Sequence, residues 1–417
     1  MFRKPRIPSA PDIEGLRKFS EQDDRSPAPA FVGRDSILAG VEGTVRRVAA
    51  GDAQGGIRLI YGAPGAGKSA LLEELARRWR SREDDDAPIP LFVSADDFVE
   101  PALVAEAILD ALTPGATPYS ASSRRTAWSA RAGFLSRRVE TETSRDSPLA
   151  EVSGGRRNPW AMLREFAPSQ DWPGPVILLI DEAQGMTGDM SNRESSLLKA
   201  LHEGRHGFPL TAVLSGLSDT LQVLRELGVS RLSEGAAHAL GPLSGSECRE
   251  AVTALLDRHH VKGGAEDRAE WAGAIAERCN GWPQHLHNYL AGIARSLVEA
   301  GGDLARAEPD AALTHGDRAR VNYYNARLAG LAPAHGAIRS ILSRIPDRGL
   351  LTGEVMAMTQ RAAAEAGFDN GPQFYKALLH AGVLHEDGAL MCHCPIPSFR
   401  RHILDTLPGE SGLPLDP

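Results

Sequence analysis

The stretch Ile57-Arg-Leu-Ile-Tyr61, then Gly62-Ala-Pro-Gly-Ala-Gly-Lys68-Ser69, then Ala70-Leu-Leu-Glu-Glu-Leu75 decides the fold. A short apolar run bounded by glycines reads as a buried strand. The turn after it fits the pattern G-x-x-x-x-G-K-[ST]. Leu71, Leu72, Leu75 and Trp79 then recur at helical spacing over 69–81. A strand, a glycine-rich loop and a helix in that order form a phosphate cradle. Glycines let consecutive backbone N–H groups face one anion, and the helix N-terminus adds its dipole. The candidate cradle is Gly62, Ala63, Pro64, Gly65, Ala66, Gly67, Lys68, Ser69 and Ala70. Lys68 is placed for the outer phosphates and the Ser69 hydroxyl for Mg2+. With 42 glycines and only six lysines in 417 residues, chance supplies roughly 0.006 such matches.

Working outward, strand and helix signals alternate. Phe31-Val-Gly-Arg34 precedes a helix expected from Asp35 to about Ala50, with Asp35 as its N-cap. Strands are expected at 90–95, 175–180, 210–215 and 237–240, and helices at 100–112 and 218–228. The implied fold is α/β, a parallel sheet covered on both faces. Val176–Ile180 leads directly into Asp181-Glu182. A buried strand delivers such carboxylates to the rim of the sheet, where ligands bind. Asp181 is the candidate for Mg2+, and Glu182 for orienting and polarising a water. Residues 113–157 interrupt the alternation with eight arginines against four acids. They read as a surface insertion, either a solvated loop or a flexible contact for nucleic acid or a partner.

From Leu243 the pattern becomes helical. Three amphipathic helices and a fourth near 308–330 give an all-helical unit. Residues 332–406 hold three helical patterns and a strand–turn–strand, which describe a winged helix. The expected divisions are a disordered tail at 1–28, an α/β core at 29–242 and an all-helical unit at 243–330. A C-terminal winged-helix domain at 331–408 and a tail at 409–417 follow. The formal net charge of −8 argues against coating nucleic acid or an anionic membrane by bulk charge. Four cysteines are too few for a disulfide scaffold and fit a reducing cytosol. The basic N-terminus lacks the apolar core of a signal peptide, and no run approaches a membrane span. A cytoplasmic protein without a membrane partner is therefore expected. Cys392-His-Cys394 lacks the partners a zinc site needs and reads as strand.

Together these residues resemble the P-loop ATPases, and more closely the AAA+ and STAND groups. The resemblance implies a P-loop NTPase core, a helical lid and ATP with Mg2+ as cofactors. It places Val32, Gly33 and Arg34 near the adenine and Ser215, ending a strand, where it feels the γ-phosphate. Arg231 becomes the candidate switch arginine. Pro283, in Gly281-Trp282-Pro283, belongs beside the nucleotide. At the place where initiator-type relatives carry a lid arginine, this sequence reads Gln284-His285. That departure leans toward slow hydrolysis driving a conformational switch. Two readings follow from the resemblance. One is a switch acting on double-stranded DNA; the other is a STAND-like switch working through protein partners and self-association. The recognition helix of that winged helix, 371–382, offers only Lys376 and His380 as cations. No N-K-x-D guanine-reading motif is present, which favours adenine.

Overall fold

The computed structural model describes residues 10–21, 31–51, 56–82, 88–95, 175–186, 198, 210–229, 232, 235–387 and 390–408. The helix expected at 100–112, the insertion at 113–157, Arg231 and the outermost segments of both tails lie outside the described residues.

The first element corrects an expectation. Helix α1 (Ile13–Glu21) lies within the stretch read as a tail. Nine residues do not hold a helix alone in water. Here Leu16 and Phe19 are buried in the core of the lid, and the Asp12 carboxylate meets His259 Nδ1 at 2.9 Å. Helix α2 (Asp35–Ala49) follows. Its N-cap is Arg34, not Asp35, and Arg34 has a left-handed backbone (φ 65°) with no side-chain cap. Asp35 instead sits in the first turn, where an acid still suits the helix dipole.

The described elements of the core are β1 (Gly56–Tyr61), α3 (Lys68–Arg80), β2 (Ile89–Ser94), β3 (Val176–Asp181), β4 (Leu210–Gly216), α4 (Thr220–Glu226) and β5 (Ala237–Ala239). The five strands form one parallel sheet in the order β2-β3-β4-β1-β5. Central β4 is buried at all seven positions, as befits a strand covered on both faces. Register sets Ile180 beside Leu214 and Ile60 beside Ser215. The ends of β1, β3 and β4 therefore meet at one rim.

The lid comprises α5 (Gly245–Arg258), α6 (Ala265–Cys279), α7 (Pro283–Glu299) and α8 (Pro309–Leu328). A capping box opens α5: Ser244 Oγ accepts from Glu247 N, and the Glu247 carboxylate accepts from Ser244 N at 2.6 Å. The C-terminal unit runs α9 (His335–Arg344), β6 (Leu350–Leu351), α10 (Thr352–Ala362), α11 (Gly371–Ala381), β7 (His385–Glu386), β8 (Met391–His393) and α12 (Pro397–Thr406). Its strands pair antiparallel in the order β6-β8-β7. Helix α12 is additional to the three expected. Pro397 starts it, and Phe399 and Ile403, four apart, are its buried stripe.

These units do not stand apart. One apolar cluster runs from Ile60 and Leu71 of the core, through Trp282 and Tyr324 of the lid, to Phe399 and Ile403. Tyr324 stacks on Phe399 with ring centroids 4.6 Å apart. Among the described residues, no helix is long and apolar enough to cross a membrane.

Candidate active site

The glycine-rich loop adopts the conformation its composition predicts. Gly65 and Gly67 have φ of 80° and 88°, a region side-chain-bearing residues rarely enter. A Cβ on Gly65 would stand 2.9 Å from both Trp282 Nε1 and Tyr323 Oη, so the loop apex has no room for one. Lys68 is buried, and its Nζ donates to the carbonyls of Gly62 at 3.0 Å and Ala63 at 3.3 Å. Burial pushes its pKa down, while Glu182 and Asp181 pull it up and Arg327 presses it down again.

Three predicted residues converge beneath the loop. Ser69 Oγ donates to Asp181 Oδ2 at 2.7 Å, and Ser215 Oγ donates to Asp181 Oδ1. Asp181 is thus the hub that the strand register prepares. Glu182, next along, has a left-handed backbone (φ 53°). Its N–H donates to Asp181 Oδ1 at 3.0 Å. The turn carries the chain into a short 3-10 helix, Ala183–Met186. A non-glycine residue at positive φ is uncommon, and such positions gather at functional sites.

These residues fit a magnesium nucleotide. The buried Lys68 ammonium, satisfied only by carbonyls and destabilised by burial, suits a polyphosphate anion. Ser69 hydroxyl beside an Asp carboxylate is the hard oxygen donor set that Mg2+ prefers. Among the described residues there is no cluster of three or more His, Cys, Asp or Glu fit to bind a metal ion unaided.

The lid supplies the outer wall. Pro283 opens α7, and its ring lies 3.6 Å from the point where a Gly67 Cβ would be. Gln284 N donates to the Gly65 carbonyl at 3.2 Å, and Tyr323 Oη donates to the Pro64 carbonyl at 2.8 Å. Val32, Gly33 and Arg34 lie at the junction of core and lid. The Arg34 guanidinium donates to the Gly241 carbonyl. Burial lowers its pKa, and facing Glu247 partly offsets this. Gly33 has a left-handed backbone (φ 70°), which favours glycine, and the Glu247 carboxylate lies where a Cβ would be.

Sequence reasoning missed three features. Arg327 on α8 lies in the field of Lys68, with its guanidinium 5.1 Å from the Tyr323 ring centre. The lid therefore does bring an arginine toward the loop, from α8 and not from Gln284-His285 at the start of α7. Gln184 joins two parts of the rim: its Nε2 donates to Glu182 Oε2, and its Oε1 accepts from Leu217 N at 3.0 Å. Third, the C-terminal unit reaches the site. A Cβ on Gly382, just past α11, would stand 3.0 Å from Pro64 Cδ. Ser218 Oγ meets His385 Nδ1 at 2.6 Å and accepts from Glu386 N at 3.2 Å. Lys376 and His380 both face Asp219, at 4.0 and 2.9 Å. Burial pushes the His385 pKa down to about 4, with His393 and Lys68 adding to the shift and Asp387 opposing it.

A glycine-rich loop, a buried lysine and a strand-end carboxylate on a β2-β3-β4-β1-β5 parallel sheet define a P-loop ATPase. Residues 30–213 match the family model described as the AAA ATPase domain, and this part of the chain is an AAA+ P-loop ATPase domain. No curated protein matches the sequence. Among solved structures, the chain is similar to the Walker-type ATPase of Pyrococcus abyssi, at 13% identity and TM-score 0.53, covering 91% of this chain and 99% of that one. At that identity the likeness speaks to the fold alone. Weaker likenesses reach the ORC1 protein of Aeropyrum pernix in complex with DNA (15% identity, TM-score 0.44, 93% and 96% covered). They also reach the RuvB Holliday junction branch migration motor of Thermotoga maritima (15% identity, TM-score 0.44, 92% and 98% covered).

Proposed function

We propose that this protein binds ATP with Mg2+, hydrolyses it slowly, and uses the nucleotide state to seat or release its C-terminal unit. One observation carries the reading. The C-terminal unit rests at once on the phosphate loop, through Gly382 against Pro64, and on the loop after β4, through His385, His380 and Lys376. A ligand shifts such an equilibrium only through a difference in affinity for the two arrangements. A nucleotide held between these two loops is placed to make that difference.

In this reading Lys68 and the backbone of 62–70 hold the phosphates, and Ser69 and Asp181 hold Mg2+. Magnesium supplies charge neutralisation on the phosphate oxygens. Glu182 accepts the proton of the attacking water, and Ser215 reports phosphate position through Asp181. Arg327 is a lid cation in the field of Lys68, and Val32, Gly33, Arg34 and Pro283 bound the adenine side. Arg231 keeps its proposed role as switch arginine. The C-terminal unit, with three helices before its antiparallel sheet, is proposed to be a winged helix. The boundaries 29–242, 243–330 and 331–408 stand as proposed domains, with α1 packed against the lid.

The engagement of Lys376 and His380 by Asp219 favours the STAND-like reading with protein partners or self-association. A DNA contact by α11 requires the unit to leave the core first. Steady-state ATP hydrolysis, with and without double-stranded DNA at low and physiological salt, tests this, with Glu182→Gln as the blank. Slow turnover indifferent to DNA supports the proposal. Salt-sensitive stimulation by DNA replaces it with a DNA-dependent ATPase.

A further inference from the structure

We propose that Gln184 is a positioning residue that restrains Glu182 while the C-terminal unit is seated. The inference rests on the reading above, in which Glu182 prepares the water. Its basis is one side-chain amide bonded at both ends. Leu217 N–H donates to Oε1 at 3.0 Å, and a backbone donor can be met only by the amide oxygen. That fixes the flip of the amide and turns Nε2 toward the Glu182 carboxylate, where it donates to Oε2.

Two features show that this clasp is built in. Gly216 leaves room for the amide, because a Cβ there would stand 2.8 Å from Gln184 Oε1 and 2.2 Å from Thr220 Oγ1. Glu182 sits at φ 53°, outside strand geometry, so the strand does not aim its carboxylate. An oxygen occupied by an amide N–H is turned toward that donor and has one lone pair fewer for water.

The other end of the clasp leads to the C-terminal unit. Leu217 is followed by Ser218 and Asp219, the two residues held by His385, Glu386 and His380. Seating the unit fixes loop 217–219, the loop fixes the amide, and the amide holds Glu182. Release of the unit frees the loop and lets the carboxylate turn to water. The coupling is a chain of direct contacts, yet only a thermodynamic cycle shows that it carries energy.

The test uses the full-length protein. Gln184→Met keeps the length of the side chain without its hydrogen bonds, and Gln184→Asn is too short to span both partners. A second variant, Lys376→Ala with His380→Ala, loosens the seat. Steady-state ATP turnover is measured for each alone and combined, and again with Glu182→Gln added. Each change alone is expected to raise kcat about two- to tenfold at unchanged KM, the worth of one hydrogen bond. Combined, they are expected to give no more than the larger single effect. Unchanged or lowered kcat in both Gln184 variants, or effects that multiply when combined, would overturn the clasp. Those results leave the ATPase reading standing if Glu182→Gln remains inactive in every background. Normal turnover of Glu182→Gln overturns both.

Discussion

The phosphate loop and the loop after β4 meet at the same rim of the same sheet, but they are held in different ways. The loop at 62–69 takes its conformation from its own residues (glycines at positive φ, a lysine folded over its own carbonyls, a helix starting at Lys68), and Gln284 and Tyr323 of the lid meet its carbonyls from outside. The loop at 215–219 is shaped by residues far away in the chain. Gln184 meets Leu217, His385 meets Ser218, and His380 meets Asp219. A locally determined loop is a fixed tool. A loop held by distant partners changes when those partners leave, and so is suited to transmit a signal.

Changes to the proposed general base and to the phosphate loop should abolish chemistry, and changes to the loop after β4 should tune it. The largest effect is expected from Glu182→Gln, a fall in kcat of about 10²- to 10⁴-fold, the usual share of a general base. Lys68→Ala follows, with a loss of about 10²- to 10³-fold, as for removal of one preorganised donor to developing charge. Both are read by phosphate release under single-turnover conditions. Asp219→Ala removes the partner of His380 and Lys376 without touching the phosphate loop. It should change kcat by only about two- to tenfold, upward, since one charge-bearing hydrogen bond to a partly exposed histidine is lost. A fall as deep as that of Lys68→Ala would erase the distinction between the two loops.

The smallest effect concerns pH. His385 is buried with its pKa lowered to about 4, against an ordinary value near 6.5. The released form binds the proton more readily, so seating is favoured above about pH 6.5 and weakens as pH falls toward 4. At pH 6.5 the seating constant should lie about twofold below its value at pH 8, a shift that His385→Asn abolishes. Proteolytic susceptibility of the segment joining lid and C-terminal unit reads this.

Legibility followed the same division. Gly62–Ser69, the run Val176–Glu182 and Ser215 are contiguous signals, and the structure brings all of them to one rim. The lid helices and the β-hairpin at 385–393 likewise follow from local periodicity. Helix α1 was not legible, because its two buried residues gain meaning only against a lid that begins more than 200 residues later. Helix α12 was hidden because Phe399 and Ile403 give a stripe of two among arginines. Gln184 carries no local mark, since its partner Leu217 is 33 positions away. Arg34 at the N-cap was obscured by Asp35, the better capping residue, because the left-handed turn at Gly33-Arg34 answers to Glu247 and Gly241 instead.

The central claim is that nucleotide state governs the seating of the C-terminal unit. It is tested most directly by backbone hydrogen exchange over 371–387 and 217–219 in the Glu182→Gln protein, loaded with ADP or with ATP and Mg2+. The account predicts slow exchange in both segments with ADP and faster exchange in both with ATP. Equal protection in the two nucleotide states would contradict it.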